Sequence, residues 1–406
     1  MTKAEIVDAA FKVWGRNFYQ KTSLSQLARE LGVSKPALYR HFSNKQSLTE
    51  AMTERFFDDF TAFILADYKL AMQEKAPNEA IYAVLRSVAL FYAENVHAFI
   101  YSLINIYNRN PGADTTGAML RSRGLDLEAL HQIFKNKYTS ARTKADSRLL
   151  MNTVFATLSF FMAQFHKSVK SFDNDPSEEV TQRVVTVICK KIEYGLGYGT
   201  DVIAPLNFAA LEKQIDSTFG NTEPEPLFRA VAEAVAEAGP WGASMEMVAQ
   251  RLGLSKSSLY GHFKNRKDMI RRLFIGEFKR ILDFARQGIG LSPKPAEQLY
   301  LGIFSIAVYL RSRSEILTAL DWLRTRKLDI GKSEKEMEEY FKLFVDIEIE
   351  PIMICEEIEK QHVSHWILFL IINTLIRFGK EGSVKNTDIR SLFRFITLGL
   401  RGFKQL

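Results

Sequence analysis

Cysteine, β-hairpin signals and long apolar runs are scarce in this chain of 406 residues, and each scarcity excludes something. The two cysteines, Cys189 and Cys355, have no C-x-x-C spacing and no neighbouring ligand cluster. That argues against a disulfide framework and against a metal site. Two free thiols in a reducing cytoplasm are the expectation. Asn-Gly turns and sustained apolar/polar alternation are missing, so strands are not expected. The most apolar run, Val363 to Ile376, falls short of the ~20 residues of a membrane span and contains His365 and Asn373. It reads as a buried helix. The N-terminal TKAEIVDAAF is charged and amphipathic, unlike a secretion signal. Paired carboxylates, a nucleophile triad and a phosphate loop are also missing, so neither catalysis nor a cofactor is expected.

What is present is a repeat. Ser23 to Leu48 reads SLSQLARELGVSKPALYRHFSNKQSL, and Ser244 to Met269 reads SMEMVAQRLGLSKSSLYGHFKNRKDM, offset by 221 positions without a gap. Ala28/Ala249, Gly32/Gly253, Ser34/Ser255, Lys35/Lys256, Leu38/Leu259, Tyr39/Tyr260, His41/His262, Phe42/Phe263 and Asn44/Asn265 are among the identical pairs. The offset slightly exceeds half the length, and a chain this long implies about two domains or more. Hydrophobic residues at 47% and charged residues at 25% are ordinary for a globular protein. A net charge of +7 permits a polyanionic partner without demanding one. Position says more: nine Lys or Arg lie from Arg251 to Arg280, against only Asp268 and Glu277.

Nearly all of the chain has helical periodicity. Thr2 with Glu5 forms a capping box, followed by Ile6, Ala9, Ala10, Val13 and Trp14 on one face. Ser23 with Gln26 opens a short second helix, whose Leu24, Leu27, Ala28 and Leu31 point inward. Gly32 occupies the place of a left-handed residue past the helix end. Ser34 caps a third helix, with Pro36 tolerated in its first turn. A fourth helix runs from Lys45 toward Tyr68. Further helices are expected from Pro77 to Asn105, to about Lys135, over Leu149 to Val169 and over Pro176 to Leu196. Gly195 to Pro205 reads as a loop and Asn207 to Phe219 as a linker helix. Thr222-Glu223-Pro224-Glu225-Pro226 punctuates the start of the second copy, which ends with helices over Lys360–Lys380 and Asn386–Phe403.

Two short helices joined by a Gly-containing turn form a helix-turn-helix, whose second helix enters a major groove N-terminal end first. Lys35 stands where it reaches a phosphate or a guanine edge, Arg40 and His41 are donors further along, and Tyr39 offers a hydroxyl. Backbone N–H groups beside Lys45 can take another phosphate.

The string Ala28, Gly32, Val33-Ser34, Leu38-Tyr39, His41-Phe42, Asn44-Lys45, Leu48, repeated as Ala249, Gly253, Leu254-Ser255, Leu259-Tyr260, His262-Phe263, Asn265-Arg266, Met269, resembles the TetR family of bacterial transcription regulators. The likeness covers about the first fifty residues of each half. It departs from the family where Phe18 precedes Tyr19, since a Gly is usual there and Gly239 keeps it in the second copy. Within this chain Pro36-Ala37 and Arg40 become Ser257-Ser258 and Gly261, so the copies should not read the same bases.

The resemblance implies an all-α protein of two TetR-like units forming an intramolecular pseudo-dimer, active as a monomer in the cytoplasm, with no membrane partner. Its expected parts are a first helix-turn-helix domain (1–48), a first effector-binding and interface domain (49–205), a linker (206–224), a second helix-turn-helix domain (225–269) and a second effector domain (270–406). Expected contacts to a double-stranded DNA operator are Ser23, Lys35, Pro36, Ala37, Tyr39, Arg40, His41 and Lys45, with Ser244, Lys256, Ser257, Ser258, Tyr260, His262, Lys264 and Arg266 from the second copy. A small-molecule effector would meet Phe99, Phe161, Phe165 and His166 in one half, and Tyr309, Trp322, His365 and Trp366 in the other. Leu149–Leu196 and Lys360–Phe403 would form the contact between halves. The expected function is a repressor released by a small apolar ligand and bound to an imperfect palindrome. Two alternatives stay open: a small-molecule binding protein whose second head has degenerated, and an architectural DNA binder without sequence preference.

Overall fold

In the computed structural model the described residues are 2–17, 23–73, 80–107, 113–138, 144–168, 176–203, 205–218, 225–325, 343–344, 347, 361–379 and 384–403. Among these there are helices and turns but no strand. The chain divides into two compact units, Met1–Thr139 with Phe161–Lys190, and Ser140–Phe160 with Lys191–Leu406.

In the first unit, α1 (Lys3–Asn17) begins as expected: the Thr2 amide donates to Glu5 Oε2 at 2.7 Å and the Glu5 amide to Thr2 Oγ1 at 3.2 Å. Its inward face is Ile6, Val7, Ala10 and Val13. The helices α2 (Leu24–Glu30), α3 (Lys35–His41) and α4 (Lys45–Ala71) follow. Leu48, Met52, Phe56, Ile64 and Tyr68 on α4 are buried at helical spacing, and α4 packs on α1 and α5 (Ala80–Glu94). The single helix expected up to Asn105 is interrupted at Asn95, whose side-chain amide donates to the Phe91 carbonyl at 2.9 Å. That carbonyl also receives the Asn95 backbone N–H, an Asn side chain competing with the helical ladder. The chain resumes as α6 (Val96–Tyr101), packed on α1, and widens into a π-helical turn over Ser102–Tyr107. Then come α7 (Ala113–Arg121), α8 (Leu127–Tyr138), α9 (Lys144–Ser168), which passes from one unit's residues to the other's, and α10 (Glu178–Tyr194).

The second unit starts with the first part of α9. It continues from Lys191 through a short α11 (Thr200–Ile203), inside the stretch read as loop, and α12 (Phe208–Thr218). The second copy then repeats the first: α13 (Pro226–Gly242), with a break at Gly239, α14 (Met245–Leu252), α15 (Lys256–His262), α16 (Arg266–Ile289), α17 (Pro295–Arg311) and α18 (Ser314–Thr325). The packing repeats as well. α16 lies on α13 and α17, and α18 lies on α13, as α6 lies on α1. The last helices are α19 (Gln361–Gly379) and α20 (Asn386–Leu398). The helix expected through Phe403 stops at Gly399, where φ is +61° and the chain tightens into a 3-10 turn.

Residues of the first half pack against α19 and α20 inside this unit. The indole N–H of Trp366 donates to Thr157 Oγ1 at 3.1 Å, and the Phe160 and Phe369 rings lie 5.5 Å apart. The Leu196 and Tyr198 amides donate to the carbonyls of Ile396 (2.7 Å) and Thr397 (3.1 Å). Backbone meets backbone here: a Cβ at Gly195 would collide with the Ile396 carbonyl, and one at Gly399 with the Glu193 backbone. α12, in the stretch read as a linker, is held firmly. Glu212, 5% exposed, accepts two hydrogen bonds from the Arg390 guanidinium (2.7 and 2.8 Å), one from the Tyr300 hydroxyl and one from Asn386 Nδ2 (3.0 Å). By length and composition Arg148–Ser168 and His362–Gly379 are apolar enough to cross a membrane, but most of each is buried inside the protein, as in core helices. Cys189 is half-buried and free of disulfide; Cys355 lies outside the described residues.

Candidate nucleic-acid interface

The helix-turn-helix is built by local rules that recur in both copies. Ser23 caps α2, its Oγ accepting the Gln26 backbone amide at 3.2 Å while the Gln26 side-chain Oε1 accepts the Ser23 backbone amide at 2.8 Å. Ser244 caps α14, accepting the Met247 amide at 3.2 Å. Each helix ends on a glycine in the left-handed region, Gly32 at φ +63° and Gly253 at φ +64°. The next residue then bonds back across the helix end: the Val33 amide to the Ala28 carbonyl and the Leu254 amide to the Ala249 carbonyl, both 2.9 Å. This closes the orphan carbonyls and sets the angle of the following helix.

Ser34 and Ser255 cap α3 and α15, accepting the amides of Ala37 (3.3 Å) and Ser258 (3.1 Å). Leu38 and Leu259, fully buried, hold the two helices down, with Phe42 and Phe263 buried just beyond. That packing turns the other side chains outward. Lys35, Pro36, Tyr39, Arg40 and His41 are exposed and Ala37 half-buried, while Lys256, Ser257, Ser258, Tyr260, Gly261 and His262 are all exposed. Tyr39 and Tyr260 are large aromatics left 43% and 50% exposed. Asn44 and Asn265 cap α4 and α16, accepting the amides of Ser47 (2.8 Å) and Asp268 (2.9 Å). This places Lys45 and Arg266 at the first helical position, with Lys264 exposed just before it. Ser23 is exposed and Ser244 half-buried beside their caps. The first-copy residues expected to touch DNA thus cluster on α3 and the helix starts around it, and the second-copy residues do the same around α15.

Two features of the second copy escaped the sequence reading. Glu246, where the first copy has Ser25, brings Oε2 to 3.9 Å from Lys256 Nζ. Arg272, where the first copy has Ala51, donates from Nη1 to the His262 carbonyl at 3.3 Å and pairs with Asp268. Position-by-position subtraction of one copy from the other is the signal that finds both.

Of the residues expected at an effector site in the first half, Phe99 and Phe165 meet at His166. Phe99, Phe161 and Phe165 are buried in the first unit. His166 is half-buried, its ring against Phe99 and Phe165 and its Nε2 2.8 Å from the Tyr92 carbonyl. Burial pushes its pKa down to about 4, against the opposing pull of that carbonyl. In the second unit Tyr309 is buried and donates to Glu277 Oε2 at 2.8 Å. Burial, then the Glu277 charge, raises its pKa well above the ordinary phenol value. Trp366 is fully buried and committed to Thr157, and His365 is half-buried with its ring 6.2 Å from that of His362. The Trp322 side chain lies outside what is described. Among the described residues no group of three or more His, Cys, Asp or Glu side chains is placed to hold a metal ion.

The family model of the tetR family of bacterial regulatory proteins matches the chain twice, over residues 6–52 and 227–273. The HTH-type transcriptional repressor ComR of Escherichia coli (strain K12) is 28% identical over 129 residues, 32% of this chain and 60% of that protein. The nucleoid occlusion factor SlmA of Haemophilus ducreyi is 26% identical over 175 residues, 39% of this chain and 76% of that protein. SlmA of Glaesserella parasuis is 26% identical over 167 residues, 37% of this chain and 72% of that protein. Each alignment with a relative takes in less than half of this chain, and the two family matches are separated by the spacing of the internal repeat. The chain therefore carries a tetR-family N-terminal domain twice, at the spacing of its internal repeat.

Proposed function

We propose that this protein is a sequence-specific DNA-binding transcriptional regulator that works as a single-chain pseudo-dimer and represses until a small apolar ligand releases it. The observation that carries the reading is the pair of recognition helices, α3 and α15. Both are packed down by one buried leucine, and both present an exposed lysine, tyrosine and histidine. Two groups beside α3 and α15, Lys45 and Arg266, start the next helices, where a phosphate binds well. The contacts of Thr157, Leu196 and Tyr198 with α19 and α20 support covalent halves that associate as subunits would. Because the copies differ at Arg40/Gly261 and Pro36-Ala37/Ser257-Ser258, the operator is an imperfect palindrome with half-sites one helical turn or more apart.

The effector would lie among Phe99, Phe161, Phe165 and His166, or among Tyr309, Trp322, His365 and Trp366, in one or both halves. It acts by binding one arrangement of the heads better than the other. The protein is read as cytoplasmic and as no enzyme. Selection of bound fragments from random DNA by a monomeric preparation, followed by footprinting, tests this reading. A monomer that selects no sequence and protects no site refutes it. The competing reading, a degenerate second head, draws on Gly261 and on the Glu246–Lys256 pair. Comparing Lys35→Ala with Lys256→Ala separates the two, since a loss from the first alone leaves one working head.

A further inference from the structure

The copies share a scaffold yet differ in where their charge sits. On the recognition helix the first copy has Lys35 and Arg40, while the second has Lys256 alone, 3.9 Å from Glu246. On the following segment the balance reverses. Ser43 to Ala51 has one lysine and one glutamate, for a net charge of zero, whereas Lys264 to Arg272 has five cations and one aspartate, for +4. Lys264, Lys267 and Arg272 are exposed and Arg266 and Arg271 half-buried.

Gly261 stands where the first copy has Arg40. Inside a helix it costs about 1 kcal/mol against alanine. Nothing in the protein asks for it: the position is exposed, and a Cβ built there meets no atom within 4 Å. The described residues supply no internal reason for the glycine, and the bare backbone there is open to a partner at that face.

We propose that the two heads divide the work of recognition. The first reads bases, through the bidentate donors of Arg40. The second grips the sugar-phosphate backbone, through the cations that begin α16, with Gly261 leaving room for the groove wall to come close to α15. An arginine fork carries base information and a cluster of backbone cations carries affinity and salt dependence. This inference rests on the reading of α3 and α15 as recognition helices.

The test compares the full wild-type chain with Arg40→Ala, Arg40→Lys, Gly261→Ala and the double variant Lys264→Gln/Lys267→Gln. Readouts are base preference in random DNA and the slope of log affinity against log salt. Arg40→Ala should flatten base preference in the first head's half-site, while the second head's half-site shows weak preference in wild type and variant alike. Arg40→Lys, which keeps the charge and loses the fork, should do the same, so that loss of fold is not mistaken for loss of reading. The lysine pair should weaken binding to all sequences alike and lower the salt slope by about two, at ~0.9 per phosphate contact. Gly261→Ala should raise thermal stability yet weaken DNA binding. The division is overturned if Arg40→Ala leaves the first head's half-site preference intact, if the lysine pair changes base preference at an unchanged slope, or if Gly261→Ala binds as well as wild type. If the wild-type chain selects no sequence at all, the DNA-binding reading itself fails, and the division with it.

Discussion

Arg272 Nη1 donates to the backbone carbonyl of His262 at 3.3 Å, tying the last residue of α15 to the helix that follows. Gly261 precedes that carbonyl, and the Arg272 guanidinium also lies 6.0 Å from the centre of the Phe263 ring. Arg272 thus braces a recognition helix weakened by its own glycine, a brace that Ala51 cannot supply to α3. Arg272→Ala should speed amide hydrogen exchange over Leu259–Phe263 about fivefold, the effect of a bond worth ~1 kcal/mol. The matching amides of α3 should not change. Unaltered exchange in α15 would show that the bond contributes nothing.

Glu246 faces Lys256 across 3.9 Å, with both side chains more than half exposed. In the proposed complex that carboxylate competes with a phosphate for the lysine. Glu246→Gln should tighten DNA binding about two- to fivefold at low salt, the range of a surface ion pair. The gain should fade as salt shortens the screening length. Equal affinity at low salt would mean that Lys256 does not approach the DNA.

His166 should make the first unit sensitive to mild acid. Burial places its folded pKa near 4, below the ordinary 6.5, so the unfolded chain binds the proton more readily. Stability is then complete above about pH 6.5 and falls as the pH drops toward 4, by up to ~3 kcal/mol at 1.36 kcal/mol per unit. Denaturant titrations of wild type and His166→Gln at pH 7.5 and pH 4.5 should show a larger loss for wild type. Parallel losses would rule out His166 as the source.

Glu212 links α12 to α17 and α20 from a nearly dry position. Burial raises its pKa, but the hydrogen bonds from Arg390, Tyr300 and Asn386 outweigh it and leave the carboxyl below its ordinary range. Its contribution is therefore present above the unfolded pKa and lost as pH falls through the folded one. Glu212→Gln should lower the melting transition of the second unit by several degrees at pH 7, the scale expected of ~1–3 kcal/mol for a pair whose arginine stays partly solvated. The gap to wild type should narrow below pH 4. A variant that melts like wild type at pH 7 would show that α12 is held by packing alone.

The caps, turns and buried leucines of both heads were legible because each is decided within a few residues. Ser23 with Gln26, Gly32 and Ser34 need only their neighbours to form a cap, a left-handed end and another cap. The same local logic exposed the recognition residues, since burying Leu38 and Phe42 leaves Lys35, Tyr39 and Arg40 outside. It misjudged Asn95 and Gly399, where a side chain and a close backbone approach end helices that periodicity alone would continue.

Periodicity on its own determined that the chain is helical and built twice, because an apolar stripe and a repeated string need no partner to be seen. It could not determine where the aromatic residues of each half belong. Trp366 could face a ligand or a neighbour, and only the fold brings it to Thr157, 209 residues away in sequence. Glu212 looked like one more charge on a connecting helix until Arg390, Tyr300 and Asn386 enclosed it. Such pairings join groups distant in sequence, and tertiary packing alone decides which polar groups share a dry site.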